Sequence, residues 1–266
     1  MVDLVKQKSY DLPDLVQVVK ILRGPGGCQW DAAQTHQSIR RNFLEEAYEV
    51  AEAIDEGSVD HLKEELGDVL LQVVFHASIE EDAGRFNLDD VADGVCKKLI
   101  YRHPHVFGDV TVHSTGEILS NWEELKKQEK GHATQADAVD AVARSLPALW
   151  RAEKVQKKAA KVGFDWPDLS GAMDKLSEEV HELQDAVNGR GDPTEELGDL
   201  LFAAVNVARF LSADPEDTLQ AACDKFAARF RRVEQQVLAS GRKMEQLSVE
   251  ELERIWDQVK HAPTKA

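Results

Sequence analysis

The chain has 266 residues, 42% hydrophobic and 30% charged, the balance of an ordinary globular protein of one large or two small domains. No run of about 18 apolar residues occurs and the start, MVDLVKQKSYDLPDLVQVV, has no apolar signal core, so neither a membrane span nor export is expected and the location is expected to be cytoplasmic. A formal net charge of −17 repels phosphate backbones, which argues against direct nucleic-acid binding, whereas a nucleotide carrying its metal is compatible with excess carboxylate.

Taken in chain order, nearly every element reads as helix. Cys28, Cys96 and Cys223 form no C-x-x-C pair, and their odd number and wide spacing suit reduced cytosolic thiols. Residues 39–54 place Phe43, Ala47, Val50 and Ile54 on one stripe, and 61–76 do the same with Leu62, Leu66, Val69 and Val73. A polar, alanine-rich stretch, 126–147, follows. Beyond it, Leu176, Val180, Leu183 and Val187 line one helix, and Leu197, Leu200 and Ala204 the next. Turn signals separate the helices: DEGS at 55–58, RHPHVFGD at 102–109, NGRGDP at 188–193 and SADPED at 212–217. The expected architecture is all-α, with two tandem four-helix-bundle-like units at 1–125 and 146–266 joined by a linker at 126–145.

The duplication is written most clearly in KEELGDVLL at 63–71 and TEELGDLLF at 194–202. The first helix of each pair carries E-E-x-x-E (Glu45, Glu46, Glu49; Glu178, Glu179, Glu182). The second carries E-E-x-x-D (Glu64, Glu65, Asp68; Glu195, Glu196, Asp199). At about 100° per residue, Glu46 stands roughly 60° from Phe43 and Glu49 about 60° further round. The pairs Glu65 and Asp68, Glu179 and Glu182, and Glu196 and Asp199 sit at matching angles on their own helices. Glu45, Glu64, Glu178 and Glu195 point further towards solvent. Two antiparallel neighbours packing such stripes bring four carboxylates together, and like charges in one partly buried place repel. A hard divalent cation resolves the conflict; oxygen-only ligands suit magnesium, with manganese as a substitute. Magnesium completes its shell with water and substrate phosphate, which points to a phosphorylated substrate. Gly67 and Gly198, each costing about 1 kcal/mol against alanine in mid-helix, are expected to mark a close approach by a helix or a ligand.

Two other metal readings are weaker. A di-iron carboxylate bundle requires E-x-x-H on two helices; Glu178 and His181 supply one, but the first copy has Glu45 and Tyr48. His103 and His105 suit a turn better than a ligand set. For phosphate, KKLIYRH at 97–103 and KFAARFRR at 225–232 place Lys98 with Arg102, and Lys225 with Arg229, as i,i+4 pairs. The run RAEKVQKKAAKVGFDW at 151–166 adds Arg151, Lys154, Lys158 and Lys161 ahead of Phe164 and Trp166, a candidate phosphate and base pocket. Trp256 in ERIWDQVK is a candidate platform for a base. Each of these also fits a solvated basic face beside a core aromatic.

CQWDAAQTHQSI, LEEAYEVAEAID, EELGDVLLQVVFHA and RHPHVFGD resemble the first half of the MazG family of nucleoside triphosphate pyrophosphohydrolases. SLPALWRAEKVQKKAAKVGFDW, EEVHEL, EELGDLLFAAVNVAR and KFAARFRRVE resemble its second half. Gln29 stands where the family usually has proline. GDPTEELGD lacks a lysine that some members carry, which leaves Lys154, Lys158, Lys225 and Arg229 as the phosphate-binding candidates. The resemblance implies magnesium-dependent hydrolysis of NTPs or dNTPs to the monophosphate and pyrophosphate, a homodimer, and a role in clearing aberrant or excess nucleotides. Carried over by motif, the metal ligands are Glu46, Glu49, Glu65 and Asp68, then Glu179, Glu182, Glu196 and Asp199. Glu45 or Glu178 is the candidate group to take the proton. Similar members place their main activity in the second half, where the basic run and Trp256 also lie. The alternative is a non-catalytic regulator that binds nucleotide or a protein through an acidic helical surface.

Overall fold

Capping chemistry sets where most helices begin. The computed structural model describes residues 8–130 and 134–261, and among them are thirteen α-helices, one short 3-10 turn and no strand. None of these helices is long and apolar enough to cross a membrane. The chain divides into two compact units, Met1–Lys126 and Lys127–Ala266.

In the first unit, α1 (Leu12–Arg23) opens on Asp11, which accepts from the Asp14 amide while Asp14 returns the bond to the Asp11 amide. After the single turn α2 (Gln29–Ala32), Thr35 and Ser38 form the same reciprocal box at the head of α3 (His36–Glu56). The DEGS turn behaves as expected. Gly57 takes φ +67°, a conformation that stops α3, and Ser58 caps α4 (Val59–Asp82) by accepting from the His61 amide. α5 (Leu88–Arg102) starts at Asn87, α6 (Pro104–Phe107) occupies the RHPHVFGD turn, and α7 (Thr115–Lys130) follows. The core joins Val19 of α1, Ile39 of α3, and Val74 and Phe75 of α4, with Leu15, Leu71 and Ile79 against it. Arg23 lays its guanidinium 5.0 Å from the Phe75 ring centroid and pairs with Asp82 at 2.8 Å.

The second unit repeats the order. α8 (Gln135–Asp140) precedes α9 (Ala148–Ala160), α10 (Leu169–Val187), α11 (Pro193–Phe210), α12 (Pro215–Ala239) and α13 (Val249–His261), with the 3-10 turn at Met244–Gln246. Asp168, Asp192 and Asp214 cap α10, α11 and α12 in turn. Asp214 also accepts from the Trp150 indole at 3.0 Å, tying α9 to the start of α12. Small residues dominate the buried positions: Ala172, Ala186, Ala203, Val205, Val233, Val237 and Val259.

Of the segment read as a linker, 126–145, the described residues hold the end of α7 and all of α8, and residues 131–133 lie outside the described residues. Two expectations need correction. The apolar stripes are only partly covered: Ile54 is 59% exposed, Leu66 51% and Val187 69%. In the first unit the core gathers where α1 packs, around Val74 and Phe75, while the Ile54 and Leu66 end of the α3–α4 pair carries the acids instead. Finally, among the described residues a Cβ on Gly67 or Gly198 would meet nothing within 4 Å, so neither glycine accommodates a described neighbouring helix. The tight glycine is Gly171, where a Cβ would fall 3.0 Å from the Trp166 ring.

Candidate functional site

The two long helix pairs hold the acids together as their spacing requires. Antiparallel packing of α3 on α4 brings one oxygen each of Glu46, Glu49 and Glu65 within 4.8 Å of one another, and α10 with α11 does the same for Glu179, Glu196 and Asp199. The remaining two expected ligands stand beside these groups: Asp68 acts electrostatically on Glu46 and Glu65, and Glu182 on Glu196. Glu45 and Glu178 are outside the clusters, exposed, and bonded to Arg41 at 2.7 Å and to Lys175 at 2.9 Å.

Burial and crowding act on these carboxyls in the same direction. Burial pushes Glu46 above its ordinary range, followed by the hydrogen bond and charge of Glu49 and the charges of Asp68 and Glu65. Burial likewise raises Glu65, with Glu49 adding to it and His61 opposing. Glu196 rises through burial and then the charges of Glu182, Glu179 and Asp199. Each cluster has one basic side chain against it. His61 Nε2 is 3.2 Å from Glu65 Oε1, and Lys175 Nζ is 2.8 Å from Glu179 Oε1. The other oxygens, Glu65 Oε2 and Glu179 Oε2, are buried without a hydrogen-bond partner. Orphaned buried anionic oxygens are costly. Both clusters therefore fit a hard divalent cation: all donors are oxygen, a single basic side chain stands against several carboxyls, and one buried oxygen in each is unused.

The second cluster opens into a cavity of about 490 Å³. Its lining includes Glu179, Asp199 and Lys175, Phe164 and Trp166 from the α9–α10 loop, and Gln156, Asn206 and Arg209. The loop is fastened by a bidentate pair between Arg209 and Asp165. Counting from the matched acids, Asn206 corresponds to Phe75, which fills the core of the first unit, and Lys175 and Arg209 correspond to Asn42 and Ser78. The cavity residues therefore differ between the copies although the acids do not.

The structure groups the basic residues differently from the sequence reading. Phe164 and Trp166 line the cavity, but Lys154, Lys158, Lys225, Arg229 and Trp256 do not. Trp256 packs on Phe226 at 5.1 Å, α13 against α12. Lys98 is exposed on α5, whereas Arg102 is buried with its guanidinium 5.4 Å from the Trp122 ring centroid. The cations at the cavity are Lys175 and Arg209, both missed. Their signal was the difference between copies at otherwise matched positions. His181 turns its Nδ1 to the Ser177 carbonyl of its own helix at 2.6 Å, and His103 bonds the Leu99 carbonyl at 2.7 Å.

Comparison with known proteins follows the same duplication. The family model described as MazG nucleotide pyrophosphohydrolase domain matches residues 34–107 and again 169–234. The nucleoside triphosphate pyrophosphohydrolase/pyrophosphatase MazG of Thermotoga maritima is 44% identical over 256 residues, covering 96% of this chain and 98% of its own length. The nucleoside triphosphate pyrophosphohydrolase of Escherichia coli K12 is 45% identical over 251 residues, covering 92% and 95%.

Proposed function

Because the chain belongs to the MazG nucleotide pyrophosphohydrolase family, we propose that it hydrolyses nucleoside triphosphates, ribo or deoxy, to the monophosphate and pyrophosphate, clearing unwanted nucleotides from the pool. The observation that carries this is the second acid cluster, with its unpartnered Glu179 Oε2, on a cavity also lined by Lys175 and two aromatic rings.

Glu179, Glu182, Glu196 and Asp199 would hold the cation, magnesium first and manganese as substitute. A bound cation would supply charge neutralisation at the phosphates and a lowered pKa for water. Lys175, 2.8 Å from Glu179 Oε1 beside the site, pairs with phosphate oxygens as a point charge. Water adds to the α-phosphorus, the bond to the bridging oxygen breaks, and pyrophosphate leaves with that oxygen. Glu178 takes the proton of the attacking water. Phe164 and Trp166 flank the base. The first cluster, Glu46, Glu49, Glu65 and Asp68, would hold the same cation without comparable turnover, since Asn42, Ser78 and Phe75 replace the groups of the cavity.

The proposal extends to a cytoplasmic homodimer acting on free nucleotides rather than nucleic acid. Three free cysteines and the charge of −17 support the location and the substrate. Exposed apolar side chains on α5 (Val95, Leu99, Ile100) and α12 (Leu219, Phe226, Phe230) support the pairing. Pyrophosphate release from dNTPs in magnesium, abolished by EDTA, tests the activity. Nucleotide binding without release would instead identify a regulator.

A further inference from the structure

The cavity contains polar groups that neither metal nor phosphate binding uses. Gln156, on α9, is 7% exposed and its Nε2 donates to the Phe202 carbonyl at 2.8 Å. A carbonyl has no hydrogen to give, so the amide nitrogen must face Phe202 and Oε1 must face away from it. That oxygen is buried with no hydrogen-bond partner, and the residue lines the cavity. A buried acceptor left unmade is costly and calls for a donor.

Asn206 supplies the complementary group. Its Oδ1 accepts from Arg209 Nη2 at 2.6 Å, and Arg209 is itself fixed by Asp165, so the Asn206 amide is held with its Nδ2 donor turned from the arginine. Asn206 also lines the cavity. Seven residues of helix separate it from Asp199, a rise of about 10 Å, room for a sugar between the metal end and the amide end.

We infer that Gln156 and Asn206 read the edge of the nucleobase. Gln156 Oε1 accepts from a ring or exocyclic N–H, and Asn206 Nδ2 donates to the neighbouring ring acceptor. This rests on the pyrophosphohydrolase activity proposed above. It makes the site selective for bases that carry an N–H on that edge, and it separates base recognition (α9 and α11) from phosphate chemistry (α10 and α11).

The test compares substrate pairs that differ in that hydrogen: ATP with purine riboside triphosphate, and UTP with 3-methyl-UTP. Wild-type enzyme should lose about tenfold in kcat/KM on the analogue of at least one pair, through KM with kcat held, the size expected for one hydrogen bond. Gln156→Leu should erase that difference by weakening the parent nucleotide alone. Gln156→Glu, which keeps the acceptor, should preserve it. Equal turnover of parent and analogue in both pairs overturns the inference while leaving the hydrolase intact; Oε1 then faces only water. A loss that persists undiminished in a folded Gln156→Leu overturns it too. If neither variant folds, the wild-type pairs decide alone. Absence of turnover on every nucleotide removes the activity and this inference with it.

Discussion

Lys175 Nζ stands 2.8 Å from Glu179 Oε1, while the second oxygen of the same carboxylate is buried with nothing to bond. The lysine also reaches Glu178 at 2.9 Å, and these acids hold its pKa well above the usual lysine range. It therefore stays charged and competes with a divalent cation for Glu179. Lys175→Met should bind magnesium more tightly by calorimetry, yet lose about 100-fold in kcat/KM, the scale of one lost phosphate contact. Unchanged magnesium affinity would show that the lysine and the cation do not share the carboxylate.

Magnesium or manganese should raise the melting temperature, because it relieves repulsion present only in the folded state. The pH dependence follows from the raised carboxyls. Glu46, Glu65 and Glu196 hold their protons more tightly folded than unfolded, so metal-free stability falls as pH rises above 4.5, their ordinary value. The gap between melts with and without magnesium should accordingly widen from pH 5 towards pH 7.5. A gap that is constant with pH would place the cation elsewhere.

Glu196→Gln keeps size and removes one negative ligand, so kcat should drop by orders of magnitude. Glu65→Gln should cost only a few-fold, since the first copy lacks the counterparts of Lys175, Arg209 and Asn206. Steady-state kinetics on one dNTP in saturating magnesium, with circular dichroism as the folding control, checks both. The reverse ranking would move the working site to the first unit.

Glu80 anchors a separate polar knot in the first unit. It binds Arg85 and lies 2.5 Å from His36 Nε2, and these bonds draw its pKa down to about 2. A depressed carboxylate stabilises above its ordinary value of 4.5 and loses that contribution as pH falls to about 2. Glu80→Gln should therefore melt below wild type at pH 7, converge with it towards pH 2, and leave kcat nearly untouched. Parallel curves at all pH values would mean that the carboxylate charge contributes nothing.

Light scattering across a concentration series should return twice the chain mass of 29.7 kDa. A steady value near one chain would leave the exposed apolar faces of α5 and α12 without the proposed partner.

What the sequence by itself determined was local and periodic. The helical class, the hairpin turns, the duplication and the two acid sets follow from 3.6-residue spacing, capping side chains and an identical phrase written twice. Each of these depends on neighbours within a few residues or on comparing the chain with itself. What only the tertiary structure decided was which cations and amides share a space with the acids. Lys154 and Lys158 belong to the same basic run as Phe164 and Trp166, yet the lysines do not line the cavity, because at about 100° per residue they stand on a different face of α9 from Val155, Gln156 and Ala159, which do. Lys175 and Arg209 come from different helices and meet there through the packing of α10 and α11 and the bond from Arg209 to Asp165. The sense of the Gln156 amide was invisible for the same reason. It is set by the Phe202 carbonyl, 46 residues away in sequence and in contact only because α9 packs on α11.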